Sequence, residues 1–400
     1  MSFGSSWGSA VVVTPSTLAA TINRTGRIGS GPVTGTVRTM RQLRRRHRDR
    51  VRDQPTTTIA LAGAGAIAVV HALAAPPAGC RVIAVASEGG VSARRLAGEL
   101  DDQHSHAVRR VGVEELPAAA DLLVVATPPV HHAELALQGL AAGSDVLVEK
   151  PLTTTLAEAD RLVDAVRQAG GPFLRCAENL LHAPFWTAVA SHRTTMGALQ
   201  HLSARTMQPP PTWGHFSRPL DAGGVLFDLG PHALALVLEL AAEPVVGVAA
   251  TLSSTRADGA DDDASVRLRF ASGLEATVEV SWTAPDTEWS LQAASADGVV
   301  RAELSPTLRL EIDGDAVPLI DRYPGLVDPA LERMGYVDQL RDMAAGVHGT
   351  RSADGQTPEA ARVVLEVICA AYASAGAGGT EVPLPFGGDR TSTPMQLWRG

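Results

Sequence analysis

The chain has almost no lysine: Lys150 stands alone against 33 arginines in 400 residues. Positive charge is supplied elsewhere by guanidinium groups, which stay protonated. An ammonium's pKa, by contrast, responds to burial and to neighbouring charge. A lone lysine is therefore a candidate for handling a proton, although an arginine bias with one survivor would leave the same trace. The three cysteines, Cys80, Cys176 and Cys369, are far apart and form no CxxC pair. That argues against a disulfide framework or a zinc–thiolate site and fits a reducing cytoplasm. Aromatics make up 4% of the chain, too few to suggest a base-stacking surface for nucleic acid. No apolar run reaches the length of a membrane span.

What is present is a long chain, 45% hydrophobic, with core enough for two domains. Charge is unevenly spread. Residues 1–55 hold ten arginines and two acids, and removing that +8 from the overall −9 leaves about −17 for the rest. This extension, with the run Arg44-Arg45-Arg46-His47-Arg48, reads as a disordered tail or a short basic helix. It has a transit-peptide-like composition but no apolar segment of a secretory signal.

From Thr56 strands and helices alternate. The strand Thr58–Ala62 runs into Gly63-x-Gly65-x-x-Ala68 and a helix through Leu73. Further strands are predicted at Arg81–Ala86, Asp121–Ala126, Asp145–Val148 and Pro172–Cys176. Helices lie between them, one capped by Ser92. This rhythm implies a parallel sheet covered on both faces. After Cys176, strand segments from Val245 to Ile312 follow one another without helices, implying a large, mostly antiparallel sheet. Helices at Met334–Val347 and Pro358–Ala373 close the pattern. The domain reading is 1–55 extension, 56–176 nucleotide domain, 177–386 substrate and oligomerisation domain, and 387–400 loose tail.

The glycine turn has the spacing of a dinucleotide fingerprint. Gly63 permits the tight turn, Gly65 lets backbone approach a pyrophosphate, and Ala68 allows close helix packing. At the end of the second strand Ser87 takes the place where Asp or Glu would bind a ribose 2′-OH, with Glu88 next to it and Arg94 and Arg95 beyond. The missing carboxylate leans toward NADP, although Glu88 argues for NAD. Further on, Gly223-Gly224 leads to Asp228 and His232, four residues apart and so on one face of a helix. An imidazole with a carboxylate beside it suits acid/base work near neutral pH. The same residues could also be a helix cap and a satisfied core histidine. A metal is not expected, because no third ligand has suitable spacing.

Taken together, the chain resembles the glucose–fructose oxidoreductase / inositol dehydrogenase / rhizopine-catabolism (Gfo/Idh/MocA) family from about Thr57 to Pro385. The motifs are Gly63-Ala-Gly65-Ala-Ile-Ala68 with His71, Thr127-Pro128-Pro-Val-His-His132, Glu149-Lys150-Pro151, Glu178-Asn179, and Gly223-Gly224 through Asp228 to His232. The resemblance implies an α/β protein: an N-terminal Rossmann domain, then a C-terminal domain built on an open, mostly antiparallel sheet. It also implies hydride transfer between NAD(P) and a secondary alcohol or ketone of a sugar, cyclitol or related polyol. Lys150 would bond the reacting hydroxyl, and His232 would be the general acid/base with Asp228 assisting it. The cofactor would meet Gly63, Gly65, Ala66, Ile67 and Ser87, then Thr127, Pro128, His132, Glu149 and Lys150. Asn179 and Trp213 are the candidate substrate contacts. The Lys150–Pro151 bond is expected to be cis.

A cytoplasmic homodimer or homotetramer joined through the sheet would follow, with no nucleic-acid or membrane partner. Family members that cleave glycosides through a transient keto-sugar supply an alternative function, and a catalytically inactive cofactor-sensing regulator supplies another. The chain departs from the family pattern at Ser87, at Leu180-Leu181 where an arginine is common, and at Ala235 where an aspartate is common.

Overall fold

A computed structural model describes residues 56–103, 107–167, 171–211, 220–323, 325–350 and 355–400. The basic extension, Trp213 and most of the loop around it lie outside the described residues.

Six strands form the first sheet: β1 (Thr57–Ala62), β2 (Cys80–Ala86), β3 (Arg109–Arg110), β4 (Leu122–Val125), β5 (Asp145–Glu149) and β6 (Leu174–Ala177). Every pairing is parallel and the order is 3-2-1-4-5-6. That order places a switch point beside β1, where a doubly wound sheet opens its binding crevice. Strands β1, β4 and β5 are almost wholly buried runs of Val, Leu, Ile and Ala, as expected when helices cover both faces. The helices between them are α1 (Ala66–Ala74), α2 (Val91–Gln103), α3 (His132–Ala141) and α4 (Leu156–Val166). Helix α4 starts with a reciprocal cap, Thr155 Oγ1 accepting from the Glu158 amide while Glu158 accepts from the Thr155 amide.

After α5 (Pro184–Arg193) the chain builds a second sheet from β7 (Leu199–Met207), β8 (Val245–Ser253), β9 (Asp263–Phe270), β10 (Glu275–Ser281), β11 (Glu288–Ser295), β12 (Val299–Ser305), β13 (Arg309–Ile312), β14 (Asp315–Ala316) and β15 (Val382–Pro383). All its pairings are antiparallel except β7 with β10. Its strands alternate. Leu202, Val266, Val278 and Leu291 face a buried side, whereas Ser203, Arg267, Thr277 and Gln292 face outward. The buried side packs on α7 (Gly230–Ala241), which follows the short α6 (Val225–Asp228), and on α10 (Pro358–Gly376).

Two boundaries differ from the expectation. Helix α9 (Tyr336–Val347), preceded by the short α8 (Ala330–Arg333), returns to the nucleotide half and packs on α1, β2 and β4. Its buried Val337, Leu340 and Met343 complete that core, and His348 Nε2 lies 3.0 Å from Thr57 Oγ1. The nucleotide half is thus not one contiguous stretch. The second difference is that residues 387–400 are ordered and end in helix α11 (Pro394–Arg399), with Met395 buried. Their Gly, Thr, Ser and Pro content suggests coil, but tertiary contacts hold them.

Candidate active site

One cleft of about 1280 Å³ runs between the halves, from the glycine turn to α11. Its nucleotide wall is backbone. Gly63 has φ +107°, and a Cβ there would sit 2.2 Å from the Ala126 carbonyl oxygen, so only glycine fits. At Gly65, which caps α1, a Cβ would meet nothing within 4 Å. The turn therefore leaves open space in front of the first, unpaired amides of a helix. That is the cradle a pyrophosphate requires. Ala66, Ile67, Thr127 and Pro128 line the same wall.

Ser87 also lines the cleft, but its Oγ accepts the Ala93 amide at 3.0 Å and the Ser92 hydroxyl at 3.1 Å. Ser87 therefore caps α2, the role expected of Ser92. Glu88 lines the cleft beside it, and Arg94 and Arg95 do not.

His132 corrects an expectation. It is fully buried, away from the cleft lining, with Nδ1 2.9 Å from the Pro151 carbonyl and Nε2 2.9 Å from the Thr127 carbonyl. Burial pushes its pKa down, against the pull of the two carbonyls and of Glu149. The ring ties the Thr127–Pro128 turn to the Lys150–Pro151 segment from behind the cleft lining. Of the two histidines of this motif, its neighbour His131 is the one that lines the cleft.

Lys150 and Glu149 emerge at the end of β5, and the Lys150–Pro151 bond is cis. The Glu149 carboxylate accepts from buried His71 Nε2 at 2.7 Å and from the Lys150 amide at 3.2 Å. Burial works to raise its pKa, but His71 and the nearby Lys150 charge hold it below the ordinary carboxylate range. Lys150 Nζ donates to Asp228 Oδ1 at 2.7 Å and to the Asp228 carbonyl at 2.8 Å. Burial alone would lower this ammonium's pKa, but the Asp228 carboxylate raises it above the usual lysine value.

The expected Asp228–His232 couple does not form. The helix is interrupted at Leu229, with Pro231 in the first turn of α7, and although both side chains line the cleft they take different partners. Asp228 goes to Lys150. His232 Nδ1 instead donates to buried Glu178, 2.8 Å from Oε1 and 2.9 Å from Oε2. Its ring packs on Trp289 with centroids 5.4 Å apart. Both His232 and Trp289 line the cleft. With Nδ1–H held by a carboxylate, the tautomer leaves Nε2 as an acceptor. Asn179 also lines the cleft, its Nδ2 donating to the Met334 carbonyl at 2.7 Å.

One positioning residue lies outside the motifs. Asp261, fully buried, accepts the Gly224 amide (2.8 Å), the Leu226 amide (2.8 Å) and the Tyr372 hydroxyl (2.5 Å). Burial raises its pKa, although those donors oppose the rise. It seats the first turn of α6 and so presents Asp228 to Lys150. A Cβ at Gly224 would lie 2.0 Å from the Asp261 carbonyl oxygen.

A glycine turn on a 3-2-1-4-5-6 sheet, facing a lysine and a carboxylate-backed histidine across one cleft, is the arrangement that a dinucleotide-dependent oxidoreductase requires. Comparison with known proteins makes the class specific. Residues 57–174 match the oxidoreductase family with an NAD-binding Rossmann fold, and residues 191–316 match the GFO/IDH/MocA C-terminal domain. The chain belongs to the Gfo/Idh/MocA family.

Among its relatives, 1,5-anhydro-D-fructose reductase of Ensifer adhaerens is 30% identical over 194 residues, covering 46% of this chain and 58% of that protein. This match spans less than two thirds of the reductase. Inositol 2-dehydrogenase of Rhizobium meliloti is 27% identical over 267 residues, covering 64% of this chain and 78% of that protein. Among solved structures, GenD2 from gentamicin A biosynthesis, in complex with NAD, superposes with a TM-score of 0.67 at 26% identity. That match covers 83% of this chain and 97% of GenD2.

Among the described residues no helix is long and apolar enough to cross a membrane, and no cluster of three or more His, Cys, Asp or Glu could hold a metal ion.

Proposed function

We propose that this chain interconverts a secondary alcohol and a ketone on a sugar, cyclitol or related polyol, using a nicotinamide cofactor. The observation that carries the reading is that Lys150–Asp228 and Glu178–His232 open on the cleft that begins at the Gly63–Ile67 turn. Gly63, Gly65, Ala66, Ile67, Thr127 and Glu149 would hold the cofactor, which supplies the hydride acceptor or donor. In the oxidation direction His232 Nε2 takes the hydroxyl proton, and Glu178 stabilises the imidazolium that results. Lys150 donates to the substrate oxygen as it gains negative charge, and Asp228 keeps that ammonium protonated and aimed. Asn179 and Trp213 remain candidate substrate contacts, and the names of the relatives support a polyhydroxylated ring.

The sequence leaned toward NADP. Glu88 in the cleft lining, with Arg94 and Arg95 outside it, supports NAD instead. A cytoplasmic setting fits the three buried free thiols; burial pushes Cys80 and Cys369 up to about 12. The open face of the second sheet, carrying Arg205 paired with Glu279 and Glu288, is the surface for self-association into a dimer or tetramer. The test is fluorescence titration with NADH and NADPH, followed by turnover on a polyol and keto-sugar panel. NADH binding with turnover supports the reading. Binding without turnover of any panel member defeats it.

A further inference from the structure

We propose that residues 387–400 form a substrate-recognition strap, in which Gln396 reads a hydroxyl group of the sugar away from its reacting carbon. The inference rests on the oxidoreductase reading above and adds to it a specificity element outside the family motifs. Gln396 and Thr393 line the cleft that holds Lys150 and His232.

The strap is anchored at both ends. Arg390 donates to Asp160 of α4 through Nη2 (2.5 Å) and Nε (3.0 Å), and its carbonyl accepts the Ala157 amide at 2.9 Å. Arg362 of α10 donates to the other oxygen of Asp160 at 2.7 Å, so one carboxylate joins the nucleotide half, the substrate half and the strap. At the far end Arg399 donates to the Asp258 carbonyl at 2.7 Å, and Trp398 packs edge-on to Tyr372.

Between these anchors the strap grips the site. The Met395 amide donates to the Ala222 carbonyl at 3.0 Å, and Thr393 Oγ1 lies 3.5 Å from the Asp221 carbonyl. Asp221 and Ala222 immediately precede the Gly223-Gly224 turn that carries Asp228. The strap is therefore tied to the segment that leads to Asp228. Gln396 Oε1 is committed to the Thr393 amide at 2.8 Å. Its Nε2, on an exposed residue of the cleft lining, is bonded to no described residue and is free to donate to a ligand hydroxyl in place of water.

The discriminating variant is Gln396→Glu, which keeps the oxygen that caps α11 and removes the donor. Gln396→Ala serves as a second variant. With the best panel substrate, either change should raise KM about three- to tenfold while kcat stays within about twofold, the pattern of a lost binding contact away from the chemistry. NADH affinity should be unchanged. An unaltered KM in both variants, or a change in NADH affinity in place of KM, overturns the strap proposal and leaves the oxidoreductase reading standing. If the wild-type chain turns over no panel sugar, that reading fails by itself. The strap is then judged by hydrogen exchange of residues 393–400: slowing on adding a panel sugar to the NADH-saturated protein supports recognition, and no slowing overturns it.

Discussion

The two walls of the cleft are made of different material. The nucleotide wall is backbone: a glycine that must have positive φ, another that leaves open space, and the free amides of α1. The catalytic wall is side chains in charged pairs that cross the fold, Lys150 with Asp228 and His232 with Glu178. The first kind of site is lost by adding atoms and the second by removing charge, so each half has its own characteristic lesion.

The largest expected effect is Lys150→Ala. It removes the donor to the developing oxyanion and should slow hydride transfer by about 10²–10³, with NADH affinity retained. Stopped-flow turnover beside NADH titration checks this, and parallel loss of binding would erase the contrast between the walls. Glu178→Gln should cost kcat at least about tenfold, because an amide neither fixes the Nδ1–H tautomer nor stabilises an imidazolium as a carboxylate does. Wild-type kcat in this variant would show that the buried carboxylate is only structural.

Gly63→Ala is the opposite experiment. The added methyl meets the Ala126 carbonyl, costs more than about 1 kcal/mol of stability and weakens NADH binding. Chemical denaturation and titration read both quantities. Asp228→Asn takes away the carboxylate that raises the Lys150 pKa and leaves the burial that lowers it. The limb of the pH–rate profile set by Lys150 deprotonation should then move to lower pH, and a stationary limb would sever Asp228 from Lys150.

The smallest effect is at the strap. Arg390 and Arg362 hold Asp160 below the ordinary aspartate value, against the burial that would raise it. A depressed folded pKa contributes stability above the unfolded value near 3.9 and loses it as pH falls through the folded value. Hydrogen-exchange protection of residues 390–400 should be flat above about pH 4 and decline below it.

How much was legible in the sequence follows the same division. Backbone sites write themselves locally, so Gly63-x-Gly65 between a strand and a helix was readable, as was Lys150 after its apolar strand. The side-chain pairs are long-range. Glu178 lies 54 residues from His232, and Asp261 is 37 from Gly224. No periodicity announces either. The four-residue spacing of Asp228 and His232 suggested a couple because it assumed an unbroken helix, and Leu229 breaks it. His132 looked like a cofactor ligand beside Thr127-Pro128, yet it is the buried tie behind them.

Helix α9 has a consequence for the chain as it is made. Its apolar face, Val337, Leu340 and Met343, covers α1 and β2, but the ribosome delivers it long after β6 is complete. At 5–20 residues per second, roughly ten to thirty seconds pass with that patch uncovered. Until then the nucleotide half exposes an apolar patch of the kind that promotes misassembly during synthesis. Release from the ribosome before α9 emerges would leave a Rossmann sheet with one of its walls missing.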